Sequence, residues 1–561
     1  MENKVKKAAD IVASLTGIAP KRVSRFPTSP NYSVYLDENS ASPDELKRQR
    51  AVSFRGAPLI SLMLAASVRE EADLSNTVLS VTAQTYPNWE LILVVNTGCS
   101  GCGKFSSIEK VKTIILDGAY EELLSSAEEV SSGEYLMLIK AGDILAPDLL
   151  FRMIQKISYE PDIDLVYADS DVHDEFGRRC SPVFKPSFSP VTEIAFDYIR
   201  RPLLVSRMLH EKAGGTELIS TFGYHRYVVN CCKRARHAAN IPRVLLSEKE
   251  SKEISITDEP FELDSRLEAV PGLFEGSFQI CGLRKRDQKV SIIIGDAADC
   301  RSLRRCIEAV DSDAVSFDYK LIVSVCSDCP KELKSYLDAL KKNKAAHIVY
   351  SEPGLPVPAL LNAGAAKSFS NYLIFLSSGV EILSPDFIER LIDPIKLKNV
   401  AVCGGKLFDC EGLLLHTGSV IGMEGLIGSP YSGTRDDMNE LQKCFFTSIQ
   451  RNVTAVSGAF MAISSEDFAD MGMFDETFTK VGWDADLCIR AIKKGRQVVF
   501  TPYAKTSAFD YTIDYSEASE KNLERCRDVF REYLLNGDPY YSPNLGRRYS
   551  VPQLLIDPKL D

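Results

Sequence analysis

Apolar residues in this chain come in short unbroken runs rather than in strict alternation. Residues 58–67, 89–95, 111–116 and 135–139 form four such runs in the first half. Runs of this length, apolar at nearly every position, predict strands buried on both faces. Between them, residues 77–85 and 119–131 carry apolar positions at helical spacing. Strands alternating with helices predict βαβ units and a mostly parallel sheet. The second half repeats the order, with strands predicted at 289–294, 319–325, 347–350 and 372–376 and helices at 302–310, 331–341 and 358–367. After each fourth strand a similar phrase returns, Ile144-Leu-Ala-Pro-Asp148 and then Ile382-Leu-Ser-Pro-Asp386. The chain therefore carries an internal repeat of about 230 residues, two copies of one α/β unit.

The expected layout is a polar arm over 1–55, a first domain over 56–246, a charged linker over 247–288, a second domain over 289–515 and a tail over 516–561. The arm holds one clear helix signal at 42–50, Ser42-Pro-Asp-Glu at its start and bases at its end. The tail shows helical spacing from 516 to 533.

Length and composition change this picture little. The 561 residues exceed one core, and 45% hydrophobic with 25% charged residues is ordinary globular composition. The net charge of −11 argues against nucleic acid or an anionic membrane as a partner held by charge alone. Two local basic pairs, Lys285-Arg286 and Arg547-Arg548, are the exceptions. The 15 cysteines are odd in number, and most sit in apolar or helical stretches, as reduced thiols of a cytosolic protein would. Cys99 and Cys102 have CxxC spacing with no second pair, so no zinc site is expected. The first twenty residues lack the apolar core of a signal peptide, and no run of about 18 apolar residues predicts a transmembrane segment. The expected location is cytoplasmic, with peripheral association at the inner face of the cell membrane through a partner.

Gln84-Thr-Tyr-Pro-Asn-Trp-Glu-Leu91, Tyr167-Ala-Asp-Ser-Asp171 with Asp174-Glu-Phe-Gly177, and Phe184-Lys-Pro-Ser-Phe-Ser-Pro190 lie in the first copy. The run from Lys406 to Gly418, Arg451-Asn-Val-Thr-Ala-Val-Ser-Gly-Ala459 and Asp538-Pro-Tyr-Tyr-Ser-Pro-Asn-Leu545 lie in the second. In this order they resemble glycosyltransferase family 2, and within it the tandem members encoded with bacterial surface-polysaccharide genes. The resemblance implies two tandem GT-A-like domains, Rossmann-like and built for nucleotide-diphospho-sugars. It implies transfer of a sugar from a nucleotide-diphosphate donor to a cell-surface glycan acceptor, with inversion. It also implies a divalent cation, Mn or Mg, and other glycan-assembly proteins as partners.

That chemistry needs a carboxylate to take the acceptor proton and a cation to offset charge on the leaving diphosphate. The first copy departs from the pattern. Lys140, Ala141 and Gly142 stand where the family has metal-site residues, and only Asp143 survives. Phe222-Gly-Tyr-His-Arg-Tyr227 lacks the family's base, Ser247 replaces a late histidine, and Asn96 replaces the acid that grips the nucleotide. The first domain is expected to be inactive, with His225 a packing or surface residue.

The second copy keeps more. Gly379 replaces the first metal-site acid while Glu381 remains as the expected metal ligand. Ser324 replaces the nucleotide-gripping acid, and the late histidine is absent from Thr501-Pro-Tyr-Ala-Lys-Thr-Ser-Ala-Phe509. The base phrase survives as Trp483-Asp-Ala-Asp-Leu-Cys-Ile-Arg490, which places the base on Asp484. Gly458, Trp483, Asp486 and Ser324 are the expected substrate-side residues. The bland reading of the same stretch is a helix start: Asp484 as cap, Asp486 as structural, Gly495 as the residue after the end. His416 reads as packing, Asp169 and Asp171 as a cation pair or a solvated loop, and Asp436-Asp437 as a polar loop without a partner. Two functions stay open: a glycosyltransferase with the second domain active through Asp484, or a catalytically inactive glycosyltransferase-like scaffold that binds a glycan or a protein partner.

Overall fold

The computed structural model describes residues 31–99, 101–250, 259–283, 288–313, 318–511, 515 and 518–556. The start of the arm, where a signal peptide was sought, and the Lys285-Arg286 pair lie outside the described residues.

Two large mixed sheets follow one another along the chain. In the first, the spatial order is Val111–Ile115, Trp89–Val95, Ile60–Ala66, Tyr135–Ile139, Leu203–Ser206, Leu165–His173, Ala238–Lys249 and Ile144–Leu145. The first four strands are parallel, and Leu203–Ser206 then runs antiparallel to both its neighbours. The second sheet has the same order: His347–Ser351, Tyr319–Cys326, Val290–Ile294, Tyr372–Leu376, Phe460–Ser464, Val400–Phe408, Gln497–Ala508 and Val380–Ile382. Its directions match strand for strand. The expected α/β fold, repeated in two copies with one strand order, is the one observed.

Each run reads apolar throughout because both faces are covered. Ile60, Leu62 and Leu64 join one apolar cluster while Met63 and Ala65 join another. Ile292 and Ile294 likewise part from Ile293. The crossover helices supply the cover. Cys300–Asp313 buries Leu303, Cys306, Ile307 and Val310, a spacing of three, four and seven that makes one helix face.

The segment expected as a linker folds. It carries the end of Ala238–Lys249 and a three-stranded antiparallel sheet, Phe261–Asp264, Leu267–Pro271 and Phe278–Gly282. Leu267, Ala269, Phe278 and Ile280 face the same core as the second sheet's Ile292. The strands are four or five residues long and lie among charges, so periodicity hides them. The arm also docks. Helices Tyr32–Asn39 and Pro43–Arg50 lie on the first sheet, where the Tyr32 hydroxyl donates to Asp171 at 2.5 Å and Tyr35 meets the Phe184 ring edge-on at 5.3 Å. Ser42 caps its helix through the Glu45 N–H at 3.2 Å, as the sequence predicts.

The two sheets are joined by buried polar and aromatic contacts. The Asn452 side-chain oxygen accepts from the N–H groups of Val191 and Thr192, at 3.0 and 3.3 Å, and its own N–H donates to the Thr192 hydroxyl. Phe445 packs against Phe196 and Tyr198 from the first half. The tail spans both: helix Glu520–Asn536 buries Cys526, Phe530 and Tyr533 in the second core, and Asn544 then donates to Asp169 at 2.8 Å. Among the described residues no helix is long and apolar enough to cross a membrane.

Asn452→Ala strands two buried N–H donors between the sheets. It should lower unfolding stability by about 2–3 kcal/mol, read as a lower denaturation midpoint.

Candidate functional site

Val290–Ile294 and Tyr372–Leu376 are neighbours and parallel, and the next strand, Phe460–Ser464, runs the other way. Their carboxyl ends open on a cavity of about 490 Å³, where an open α/β sheet binds ligands. Asp296 follows the first of these strands and Ser377 the second. The Asp296 carboxylate accepts from the Ser377 hydroxyl and, at 2.7 Å, from the Ser378 N–H.

The antiparallel strand brings Ser457 and Gly458 to the same place, and three site groups hang from these two residues. The Gly458 N–H donates to Asp484 at 2.8 Å. The Ser457 N–H donates to His416 Nε2 at 3.1 Å, so the ring proton sits on Nδ1. The Ser457 hydroxyl meets the Tyr511 hydroxyl at 3.1 Å. Gly458 must be glycine, because a Cβ there would fall 2.1 Å from the Trp483 ring.

Asp484 lies in the first turn of helix Trp483–Lys493, half-buried on the cavity wall. The expected cap role goes instead to Gly482, whose φ of +90° opens the helix and whose carbonyl accepts the Asp486 N–H. Burial raises the Asp484 carboxyl above its ordinary value, against the pull of the Gly458 and Ala485 N–H groups. A carboxyl tuned upward at a cavity wall is suited to accepting a proton. Trp483 lines the same cavity and meets Phe474 edge-on at 4.7 Å.

Of the residues expected here, Asp484, Gly458 and Trp483 come together at the cavity. Asp486 does not: its carboxylate pairs with Arg490, four residues on, at 2.8 Å. Ser324 does not: it is wholly buried beneath helix Val357–Ala365, near Gly364, and its hydroxyl has no hydrogen-bond partner. Glu381 does not line the cavity either. Arg305 takes its carboxylate, with Nε at 3.0 Å, and the same guanidinium lies 4.3 Å over the Phe509 ring. Among the described residues no group of three or more His, Cys, Asp or Glu is placed to hold a metal ion.

The cation corner is instead packed with chain. The Gly379 carbonyl accepts from the Phe509 and Asp510 N–H groups at 3.0 and 3.1 Å. A Cβ on Gly379 would fall 2.2 Å from the Asp510 carbonyl oxygen. An acid at 379 thus requires a different backbone course at 509–511.

The first copy closes its corner with charge. Arg201 grips Asp143 with Nε at 2.9 Å and a second nitrogen at 3.1 Å, and reaches Glu248 at 2.9 Å. Burial, with Arg201 beside it, lowers the Lys140 ammonium. Asn96 donates to the Gly118 carbonyl at 2.9 Å, and His225 packs between Phe278 and Phe261.

Asp169 and Asp171 are not a solvated loop. Both lie buried in strand Leu165–His173, engaged by the Lys185 N–H, Asn544, Tyr32 and Arg179. Asp436 has a partner after all, the buried Lys406 ammonium at 2.9 Å, and Asp437 pairs with Lys443 at 2.5 Å.

Sequence reasoning missed Asp296, Tyr511 and Tyr515 on the cavity wall. Asp296 was findable, since it follows a predicted strand at its carboxyl end. No motif signals the two tyrosines.

No family model matches this chain. Over 523 residues it is 24% identical to the O-antigen biosynthesis protein RfbC of Myxococcus xanthus, covering 87% of this chain and 40% of that protein. Over 555 residues it is 24% identical to the uncharacterized protein y4gI of Sinorhizobium fredii, covering 90% and 60%. The chain spans about half the length of these curated relatives. Among solved structures, GalNAc-T7 with UDP, GalNAc and Mn²⁺ superposes with a TM-score of 0.34 at 16% identity, over 44% of this chain and 48% of that one. Staphylococcus aureus TarS 1-349 gives 0.28 at 14%, over 34% and 60%. In its motif order the chain resembles bacterial surface-polysaccharide glycosyltransferases. The likeness to RfbC runs along nearly all of it.

His416 is 2% exposed, and burial with Arg451 nearby depresses its ring to about 3 from an ordinary 6.5. Its neutral form therefore contributes stability above 6.5 that is lost as pH falls toward 3. Between pH 6.5 and 5 the wild type should lose stability relative to His416→Gln by about 1.4 kcal/mol per pH unit, measured by denaturant melts at stepped pH.

Proposed function

We propose that this chain is a glycosyltransferase-like protein of bacterial surface-polysaccharide assembly, and that its second cavity presents Asp484 to a hydroxyl of a glycan acceptor. One observation carries the reading: Asp484 stands at a cavity on the carboxyl ends of the strands, fixed by the Gly458 N–H with Trp483 beside it. In the transferase form of the reading, the acceptor oxygen attacks the anomeric carbon of a nucleotide-diphosphate sugar. Its proton passes to Asp484, the bond to the diphosphate breaks and the anomeric centre inverts. Gly458 holds the carboxylate on the attacking side. The first copy, its corner filled by Arg201, Asp143 and Glu248, is proposed to act as scaffold.

The packing of Asp510 onto Gly379 favours a second reading, in which the cavity holds a glycan without turnover. The name of the RfbC relative supports the assembly setting of both forms. Cytoplasmic placement, peripheral at the inner face of the membrane beside other glycan-assembly proteins, belongs to the proposal.

Asp484→Asn separates the two forms. With nucleotide-sugar donors and isolated surface glycan, the transferase form expects sugar transfer that falls about 10²–10⁴-fold in the variant, with glycan binding retained. Glycan binding without transfer in the wild type would leave only the second.

A further inference from the structure

We infer that the second cavity takes an uncharged sugar chain and that it does so without a divalent cation. The inference rests on the second form of that reading, in which the cavity holds a glycan without turnover.

The residues at the cation corner do not fit a metal. The turn Ser377-Ser378-Gly379 offers no carboxylate, and its Ser377 hydroxyl and Ser378 N–H both donate to Asp296. The space beside Gly379 belongs to the Asp510 backbone, which lies too close for any side chain. Ser302, on the helix that also carries Arg305, holds the Asp510 carboxylate at 2.8 Å and so keeps that backbone down. Of the nearby carboxylates, Asp296 accepts from Ser377 and Ser378, Asp510 is held by Ser302, and Glu381 already has a permanent cation in Arg305. Chain and guanidinium together occupy what a bound cation would need. Freeing Glu381 alone would restore one ligand, where Mg²⁺ or Mn²⁺ wants several oxygens.

The cavity walls then select by charge. Asp296, Asp484 and Glu424 line them, against Lys480 as the lysine. A diphosphate entering without its cation meets an excess of carboxylate, and like charges repel more strongly in a partly dry site than in water. A sugar brings hydroxyl donors instead, which carboxylates accept well. Its apolar C–H faces match Trp483, Tyr511 and Tyr515 on the wall. The volume suits a small-molecule or short-chain ligand.

Trp483 also supplies a readout. The chain has two tryptophans, and Trp89, remote on the first sheet, can be silenced as Trp89→Phe. The full-length Trp89→Phe chain is titrated with neutral hexose and N-acetylhexosamine oligosaccharides, and separately with UDP, GDP and dTDP. Each titration is run in excess Mn²⁺ and in EDTA, with calorimetry on the wild type alongside. The expected result is Trp483 fluorescence change with at least one oligosaccharide, its Kd equal within about twofold in both buffers. Nucleotide binding strengthened about tenfold or more by Mn²⁺ would overturn the cation-free site while leaving a glycan reading in place. A nucleotide that binds in EDTA and competes with the oligosaccharide would overturn the uncharged ligand. Failure of every oligosaccharide in a chain that melts cooperatively overturns the inference, and silence of the nucleotides as well removes the glycan reading beneath it.

Discussion

The site depends on one reversal of direction. Phe460–Ser464 runs antiparallel to Tyr372–Leu376, and the Ser377 N–H donates to the Ala459 carbonyl at 2.9 Å. That pairing returns residues 457–459 to the carboxyl ends of the parallel strands. Everything at the cavity then follows from two backbone N–H groups and one hydroxyl. Gly458 fixes the carboxylate, and Ser457 fixes His416 on one side and Tyr511 on the other. These donors lie in the turn that leads into Phe460–Ser464, a strand paired on both edges by Tyr372–Leu376 and by Val400–Phe408. The paired strand thus anchors the turn that holds Asp484.

The same economy governs the buried charges. Lys185 is wholly buried and donates to the carbonyls of Ala168, Ile199 and Arg201 at 2.6, 2.6 and 3.0 Å. Arg451 is 1% exposed and donates to the Phe446 and Thr417 carbonyls at 3.1 and 2.8 Å. Burial lowers both cations, to about 8 and about 9. Each sits where chain from distant segments must meet and where carbonyls would otherwise be stranded. Removing one would leave several acceptors unsatisfied, so these cations fix geometry more than they add net stability.

Elements whose signal is local were legible in the sequence. Trp89–Val95, Tyr135–Ile139 and Tyr372–Leu376 fall on the predicted residues, because a strand covered on both faces must be apolar throughout. The repeat was legible for the same reason. Elements whose logic is long-range were not. Phe261–Gly282 reads as charged linker until the second core covers its alternate residues, and Asp169 reads as loop acid until the Lys185 N–H and Asn544, 375 residues away, satisfy it. At the site, the motif located Asp484 but not what holds it. Its partner is a backbone N–H, which carries no residue signature. Asp486, read both as substrate-side and as structural, pairs with the helix-spaced Arg490.

The two copies share a topology and have closed the same corner by different means. In the first, an acid remains, and Arg201 neutralises it with Glu248 as a third member. Burying such a triad costs desolvation that its own attraction only offsets, so removal of Arg201 alone would leave buried Asp143 and half-buried Glu248 repelling each other. In the second, the acid is gone and backbone fills the space. That solution buries no charge and leaves the neighbouring cavity open, whereas the charged triad lies under Tyr224 and Tyr120, both pushed well up by burial. A corner closed by backbone cannot be reopened by exchanging one residue, since Gly379 and the course of 509–511 must change together. The second copy thus combines a corner filled by backbone with an open cavity wall beside it. What that wall still offers, a tuned carboxylate and aromatic faces, is a surface for hydroxyls.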